Sequence, residues 1–372
     1  MNQQKKGWYV IDNRDDVFSP ALLVYPDRIE ENIRRMIAVA GDAVRLRPHV
    51  KTHKMPEIIR LQMKHGITKF KCATIAEAEM AAACGAKDML MAYQPVGPNI
   101  KRYFTLTDNY PATKFSCIAD TQETIINLAK AAKELNKPVH IWIDINTGMN
   151  RTGVKPGIEA VSIARLAARL PLVKLEGLHS YDGHLHQSDP ALRKKLCDEA
   201  FAAVTTLTGE LAKYGITNLK IVAGGSPTFP IHALRKDVEL SPGTILLWDY
   251  GYSSAFRDMD FLNAAVLFTR VVSKPDRDLL CIDLGHKAVA SEMPQPRIHV
   301  PELGKIEIIS HNEEHMVIRS EKAEEYRVGS VIYAVPFHIC PTVDRHDFAS
   351  VVSTGHVTGQ WIIEARRRKI TI

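Results

Sequence analysis

The stretch VRLRPHVKTHK, residues 44–54, opens on an apolar run and closes on two lysines and two histidines. As a solvated patch it would be an ordinary basic surface. As a strand, VRLRPHV delivers Lys51 at its carboxyl end, the side on which parallel barrels place their chemistry. The sequence further on favours the strand. Short apolar runs recur as ITKFKCA (67–73), DMLMA (88–92), KFSCI (114–118), VHIWIDI (139–145), LEGLHSY (175–181), LKIVAGG (219–225) and TILLWDY (244–250). Helical patterns over residues 56–65, 75–84, 99–107, 121–135, 157–169 and 190–213 separate most of them. Buried parallel strands read as short continuous apolar runs, and alanine- and leucine-rich helices can cover them from outside. The expectation is an α/β fold, a closed (β/α)8 TIM barrel. An early GxGxxG fingerprint is absent, which argues against an open dinucleotide-binding sheet.

The pattern changes after about residue 255. AAVLFTRVVSK, DLLCIDLG, KIEIISHNEEHMVIRS, GSVIYAVPF and GQWIIEARRR follow one another with few helical intervals, predicting a mainly β second domain. The apolar PALLVYP at residues 20–26 can join it before the chain enters the barrel. The expected division is therefore a barrel over residues 27–255 and a discontinuous β domain from residues 1–26 and 256–372.

Composition sets the surroundings. A chain of 372 residues buries a large core, and its net charge of +6 comes from scattered lysines and arginines. Without a basic stripe, stacking aromatics or a nucleic-acid module, nucleic acid is not an expected partner. The start MNQQKKGWYV lacks a secretion signal, and no run of roughly 18 apolar residues offers a membrane span. The expectation is a cytoplasmic protein with no membrane partner. Cysteines 72, 84, 117, 197, 281 and 340 form no CxxC pair and read as reduced.

A lysine forms an imine with an aldehyde cofactor when its surroundings hold the amine deprotonated, and pyridoxal phosphate is the common aldehyde of amino-acid chemistry. Spacing alone does not choose between Lys51 and Lys54. Arg151, just beyond the strand in IDINTGMNRTG, can hydrogen-bond an anionic oxygen or form a surface salt bridge. Gly224, Gly225, Ser226 and Thr228 can surround a phosphate with backbone N–H groups and hydroxyls, or make a generic turn. GLHSYDGHLHQSD concentrates His179, Tyr181, Asp182, His184 and His186 near a strand end. His338 and Cys340 alternate along what reads as an extended segment, where they offer a nitrogen and a thiolate to a divalent ion or simply fill a core.

RPHVKTHK, GMNRTG, GLHSYDGH, GGSPTF, SPGTILLWD and HICPTVDRHD, in that order from Pro20 onward, resemble the D-threonine aldolase and D-serine dehydratase family. These are fold-type III pyridoxal phosphate enzymes with an alanine racemase-like amino-terminal barrel. The resemblance implies Lys51 as the Schiff-base lysine, supported by His53 and Lys54. It implies Arg151 at the cofactor's phenolate and Gly224, Gly225, Ser226 and Thr228 at its phosphate. Tyr181 and Asp249 are placed with the cofactor residues, Asp249 in a rim segment running from Gly243 to Tyr250. His338 and Cys340 become the metal pair, with zinc, manganese or magnesium as the ion. In the aldolase pattern a histidine acts on the substrate hydroxyl, but its position holds Gln187 here, leaving His184 and His186 as candidates.

The leading expectation is a metal-assisted D-threonine aldolase or related β-hydroxy-D-amino-acid aldolase, taking a small hydroxy-amino-acid substrate and forming a head-to-tail homodimer. The nearest rival is a D-serine or 3-hydroxy-D-aspartate dehydratase, and Cys340 resembles the dehydratase ligand where some aldolases carry aspartate. A non-catalytic pyridoxal phosphate-binding protein is the third reading.

Overall fold

A computed structural model describes residues 7–372; residues 1–6, which begin both the MNQQKKGWYV start and the segment assigned to the β domain, lie outside the described residues. The described chain divides into a β-rich unit, residues 7–33 and 244–366, and a barrel unit, residues 34–243 and 367–372. β1 (Ala21–Val24) opens the first unit, and α1 (Pro26–Ala40) carries the chain into the second. The final residues return to the barrel unit. There Thr371 donates its N–H to Glu79 at 3.1 Å, and the Arg102 guanidinium reaches the Ile372 carbonyl at 2.6 Å.

In the barrel unit helices and strands alternate as α2 (Pro56–Lys64), β2 (Lys69–Cys72), α3 (Ile75–Ala83), β3 (Asp88–Met91), α4 (Pro98–Asn109), β4 (Lys114–Ala119) and α5 (Gln122–Glu134). They continue as β5 (Val139–Asp144), α6 (Ile158–Arg169), β6 (Val173–Ser180), α7 (Pro190–Ala212), β7 (Lys220–Ala223), α8 (Phe229–Ala233) and β8 (Val238–Leu240). The helices start where sequence chemistry dictates. Thr74 and Thr121 cap α3 and α5 by accepting backbone N–H groups, and Pro56, Pro98 and Pro190 sit in first turns, where no N–H is needed.

The seven strands pair in parallel in sequence order. The eighth stave is the irregular segment Leu46–His49. Leu46 bridges Leu240 on one side and His49 bridges Lys71 on the other, with Arg47 N–H to Leu240 O at 2.8 Å and Lys71 N–H to Pro48 O at 2.9 Å. Pro48 brings no N–H to the ladder, so the stave never becomes the regular strand its pattern predicts. Side chains make up the difference: the buried Arg47 guanidinium contacts Asp88 of β3 and Glu239 of β8, each at 2.7 Å. Leu90, Ile118, Trp142 and Val222, from four strands, form a buried cluster, and Trp142 donates its indole N–H to the Ser116 hydroxyl at 3.0 Å.

TILLWDY is not a barrel strand. After Pro242 and Gly243 it forms a 3-10 turn at Thr244–Leu246, passes through Trp248 at φ +45°, and enters α9 (Tyr250–Ala255) in the β-rich unit. The last stave is the three-residue β8, too short between Lys236-Asp237 and Pro242 to register as an apolar run.

The β-rich unit continues with β9 (Ala265–Ser273), β10 (Leu279–Ile282), β11 (Ile298–His299), β12 (Glu307–His311), β13 (Met316–Arg319), β14 (Val331–Pro336), α10 (Ile339–Val343), β15 (Phe348–Ser353) and β16 (His356–Ile362). Its sheet runs β12-β13-β10-β9-β1-β15-β16, with β14 also on β9 and β11 on β14. β1 lies antiparallel to β9 and parallel to β15, and Leu23 packs with Val266, Phe268, Tyr333, Val335 and Val352. Among the described residues no helix is long and apolar enough to cross a membrane.

Candidate active site

A cavity of about 490 Å³ in the barrel unit is lined by residues within its strands or just after them, among them His49, Lys51, Lys71, Asp120, Arg151, His179 and Tyr181. Lys51 stands in the 3-10 turn Val50–Thr52 directly after the first stave, its backbone N–H on His49 Nδ1 at 3.2 Å. Arg151 comes from the loop after β5. Asn146 shapes that loop by accepting the N–H groups of Gly148 and Asn150, and Gly153 N–H binds Asp120 at 2.8 Å. Tyr181 follows β6. Three cations surround its ring: Arg151 at 5.1 Å, Lys71 at 5.6 Å and Lys51 at 5.8 Å from the centroid.

Three cationic side chains face this space and one carboxylate, Asp120, lines it. The donor set suits a multiply anionic ligand with a flat ring. Lys71 is buried, and its Nζ lies 3.4 Å from His179 Nε2. His179 Nδ1 is 2.7 Å from Asp144. Burial and the charge of Lys51 pull the Lys71 ammonium down to about 7, against the attraction of Asp144 and Asp182. Burial and Lys71 likewise lower His179, while its ring holds the Asp144 carboxylate below the usual range despite burial. A neutral imidazole that donates from Nδ1 and accepts at Nε2 satisfies both contacts.

His53 is fully buried and outside the cavity lining; its Nδ1 accepts the Met55 N–H at 3.1 Å, and burial pushes it down to about 3. Lys54, at φ +54°, faces Glu77 at 3.8 Å, so of the two lysines in the opening stretch only Lys51 lines the cavity.

The glycine loop backs Tyr181. A Cβ on Gly225 would come within 3.0 Å of that ring, and one on Gly224, already at φ +81°, within 2.7 Å of His232. Gly225 N–H and the Thr228 hydroxyl both donate to Asp182 Oδ1, at 3.2 and 2.8 Å, while Ser226 Oγ accepts the Gly243 N–H at 3.2 Å. His232 Nε2 holds the other Asp182 oxygen at 2.8 Å and sits 3.4 Å from the Cys197 sulfur. By donor type Asp182, Cys197 and His232 could hold a metal. Their distances are those of hydrogen bonds, however, Arg235 lies 3.2 Å from the other ring nitrogen, and burial pushes the Cys197 thiol up to about 12. The cluster is a brace under the loop.

His184 is half-buried against Gly148, where a Cβ would approach its Nε2 to 2.7 Å, and His186 is exposed; neither lines the cavity. His179 does, from within β6 in the same GLHSYDGHLHQSD stretch. Lys71 was missed altogether, because in KFKC it reads as the polar member of an alternating strand.

In the β-rich unit His338 is the N-cap of α10 and Cys340 lies in its first turn. The pair is not on an extended segment. The chain turns into helix at Ile339, with Pro341 placed where a first-turn N–H is dispensable. The two side chains still meet in a hydrogen bond, and that contact, with help from Glu292 and Asp249, lifts the His338 imidazole to about 9 against its burial. His338 Nδ1 faces Glu292 at 2.5 Å. Asp249 spends both oxygens on the backbone, accepting Tyr252 N–H at 2.9 Å and Ile339 N–H at 3.0 Å, and burial raises it to about 6.

Residues 24–252 match the family model described as alanine racemase, N-terminal domain, and residues 264–352 match a putative serine dehydratase domain. The chain is 30% identical to a D-threonine aldolase from Arthrobacter sp. over 94% of this chain and 93% of that protein. It belongs to the D-threonine aldolase and D-serine dehydratase family. It is 27% identical to a 3-hydroxy-D-aspartate aldolase from Paracoccus denitrificans (strain Pd 1222) over 95% of this chain and 93% of that protein. The crystal structure of a D-threonine aldolase from Filomicrobium marinum superposes with a TM-score of 0.87 at 27% identity, covering 96% of this chain and 97% of that one. The alanine racemase-like barrel with a mainly β second unit is thus the fold of the family.

Proposed function

We propose that this chain is a pyridoxal phosphate-dependent β-hydroxy-D-amino-acid aldolase, cleaving a D-threonine-like substrate to glycine and an aldehyde. The observation that carries the reading is the cavity at Lys51, an amine set among cations around an aromatic ring, in a chain whose full-length relatives include aldolases. The cofactor, when bound, supplies an aldehyde for the substrate amine and an electron sink for the breaking bond.

The residues divide the remaining work. Lys51 is the covalent anchor, Arg151 holds negative charge beside the ring, and Tyr181 gives the ring a flat surface. Asp182 and its partners keep the loop Gly224–Thr228 in shape. In the overall reaction the β-hydroxyl loses a proton, the Cα–Cβ bond breaks, the aldehyde departs and Cα gains a proton. A divalent cation, for which His338 and Cys340 are the ligands in this reading, would lend Lewis acidity toward a hydroxyl; a nitrogen and a thiolate favour zinc, with manganese and magnesium as alternatives. The family resemblance also carries the expectation of a homodimer.

Mass spectrometry of products from D-threonine and D-serine, with pyridoxal phosphate and divalent metal supplied, tests the reading. Glycine plus acetaldehyde is expected. Ammonia with 2-oxobutyrate or pyruvate would move the chain to the dehydratases, and no turnover of either substrate would favour the binding protein.

A further inference from the structure

Lys71 is a lysine buried at 2% exposure, on the strand next to the stave that delivers Lys51, and lining the same cavity. The roles of Lys51, Arg151 and Tyr181 leave it without a task. Burying an amine is costly unless its surroundings use it. Among the described residues no carboxylate hydrogen-bonds it directly. Its hydrogen-bond partner is His179 Nε2 at 3.4 Å, and His179 in turn is fixed by Asp144 at 2.7 Å. Asp144 closes β5, His179 lies near the end of β6 and Lys71 in β2, so three strands converge on one line of polar groups inside the barrel.

That line has the logic of a relay. An imidazole donating to a carboxylate presents a lone pair to the amine, orients it, and accepts partial charge when it moves a proton. Lys71 faces Tyr181 at nearly the distance Lys51 does, 5.6 against 5.8 Å from the centroid. A permanent cation would serve there to hold an anion, and Arg151 already fills that role. An amine between charged and neutral near neutral pH can do what arginine cannot.

We propose that Lys71, oriented by His179 and Asp144, is the proton donor to the substrate α-carbon in this cavity. The proposal rests on the aldolase reading and adds a residue to it. As the aldehyde leaves, the electron pair of the broken Cα–Cβ bond remains on the glycine fragment. The Lys71 N–H bond then breaks, a Cα–H bond forms, and Lys71 is left a neutral amine. The proton lost by the β-hydroxyl, or one from water, restores the ammonium, so no other reagent is consumed. In reverse the neutral amine takes the α-proton. The charged and titratable groups that face it are Lys51, Arg47, His49, His179, Asp144 and Asp182.

The test is exchange of the α-proton of glycine, D-alanine and D-serine in D2O, followed by NMR with the holoenzyme. This half-reaction needs no carbon–carbon cleavage. Lys71→Met and Lys71→Arg are each expected to retain the visible absorption of bound cofactor and to lose exchange by about 100-fold or more, the scale of a lost general acid or base. In the wild type the exchange rate rises with pH through about 7, and this limb disappears in Lys71→Arg. Added methylamine restores part of the rate to Lys71→Ala. Exchange at the wild-type rate in Lys71→Met overturns the proposal, as does full rescue by arginine, which would make Lys71 a charge only. Loss of the cofactor band in both variants also overturns it, making Lys71 a cofactor-binding residue. A wild type that exchanges protons but releases no aldehyde from D-threonine sinks the aldolase reading alone, and one that exchanges none of the three sinks both.

Discussion

Replacing Arg47 by Met removes the charge that ties the irregular first stave to β3 and β8 while roughly preserving side-chain volume. Arg47 is 1% exposed and its guanidinium touches Asp88 and Glu239 at 2.7 Å each. Removing one partner of a buried ion pair costs about 3–5 kcal/mol, because a charge is left behind without compensation. Two features place this site at the low end. Glu239 keeps Lys69 at 2.6 Å, and the Asp88 side chain is 21% exposed, so water reaches it. A loss of about 3 kcal/mol, at about 2–4 °C per kcal/mol for a domain of this size, lowers the melting temperature by about 6–12 °C. Circular dichroism melts of the two proteins at pH 7 measure it, and Asp88→Asn added to Arg47→Met should recover part of the loss. A midpoint within about 2 °C of wild type would refute the view that this cluster closes the barrel.

Two further outcomes are expected. His53 titrates at about 6.5 when unfolded and about 3 when folded, so the unfolded chain binds the extra proton between those values and stability falls as pH drops through that window. His53→Asn keeps an acceptor for the Met55 N–H without the titration, and its urea-unfolding free energy should fall less steeply by about 1.4 kcal/mol per pH unit between about pH 6 and 4; parallel slopes would contradict the assignment. His338→Ala should lower the divalent metal that remains with the protein after desalting, read by plasma mass spectrometry, and unchanged metal content would remove His338 from the site.

The sequence made the barrel legible through the recurrence of apolar runs, because buried parallel strands have nothing polar to hide. It misled where the chain departs from regular pairing. The first stave is held by two bridges and an arginine rather than a full ladder, and the last is three residues long, so TILLWDY looked like the better strand. In the site, Lys51 and Arg151 were readable because each follows a strand in a distinctive motif. Lys71 was not, since a buried lysine and a solvated one look alike in an alternating strand, and only the fold brings His179 and Asp144 beside it. Gly225 and Thr228 are expected at a phosphate by resemblance alone. Asp182, which takes their hydrogen bonds, lies more than 40 residues away in sequence, and no local pattern announces that contact.

In the proposed aldolase the cavity's anchor is Lys51. Borohydride reduction of the protein loaded with pyridoxal phosphate, followed by proteolysis and peptide mass spectrometry, fixes the cofactor to whichever lysine carries it. The phosphopyridoxyl mass is expected on Lys51; the same mass on Lys54 or Lys71, or on no lysine, would overturn the assignment.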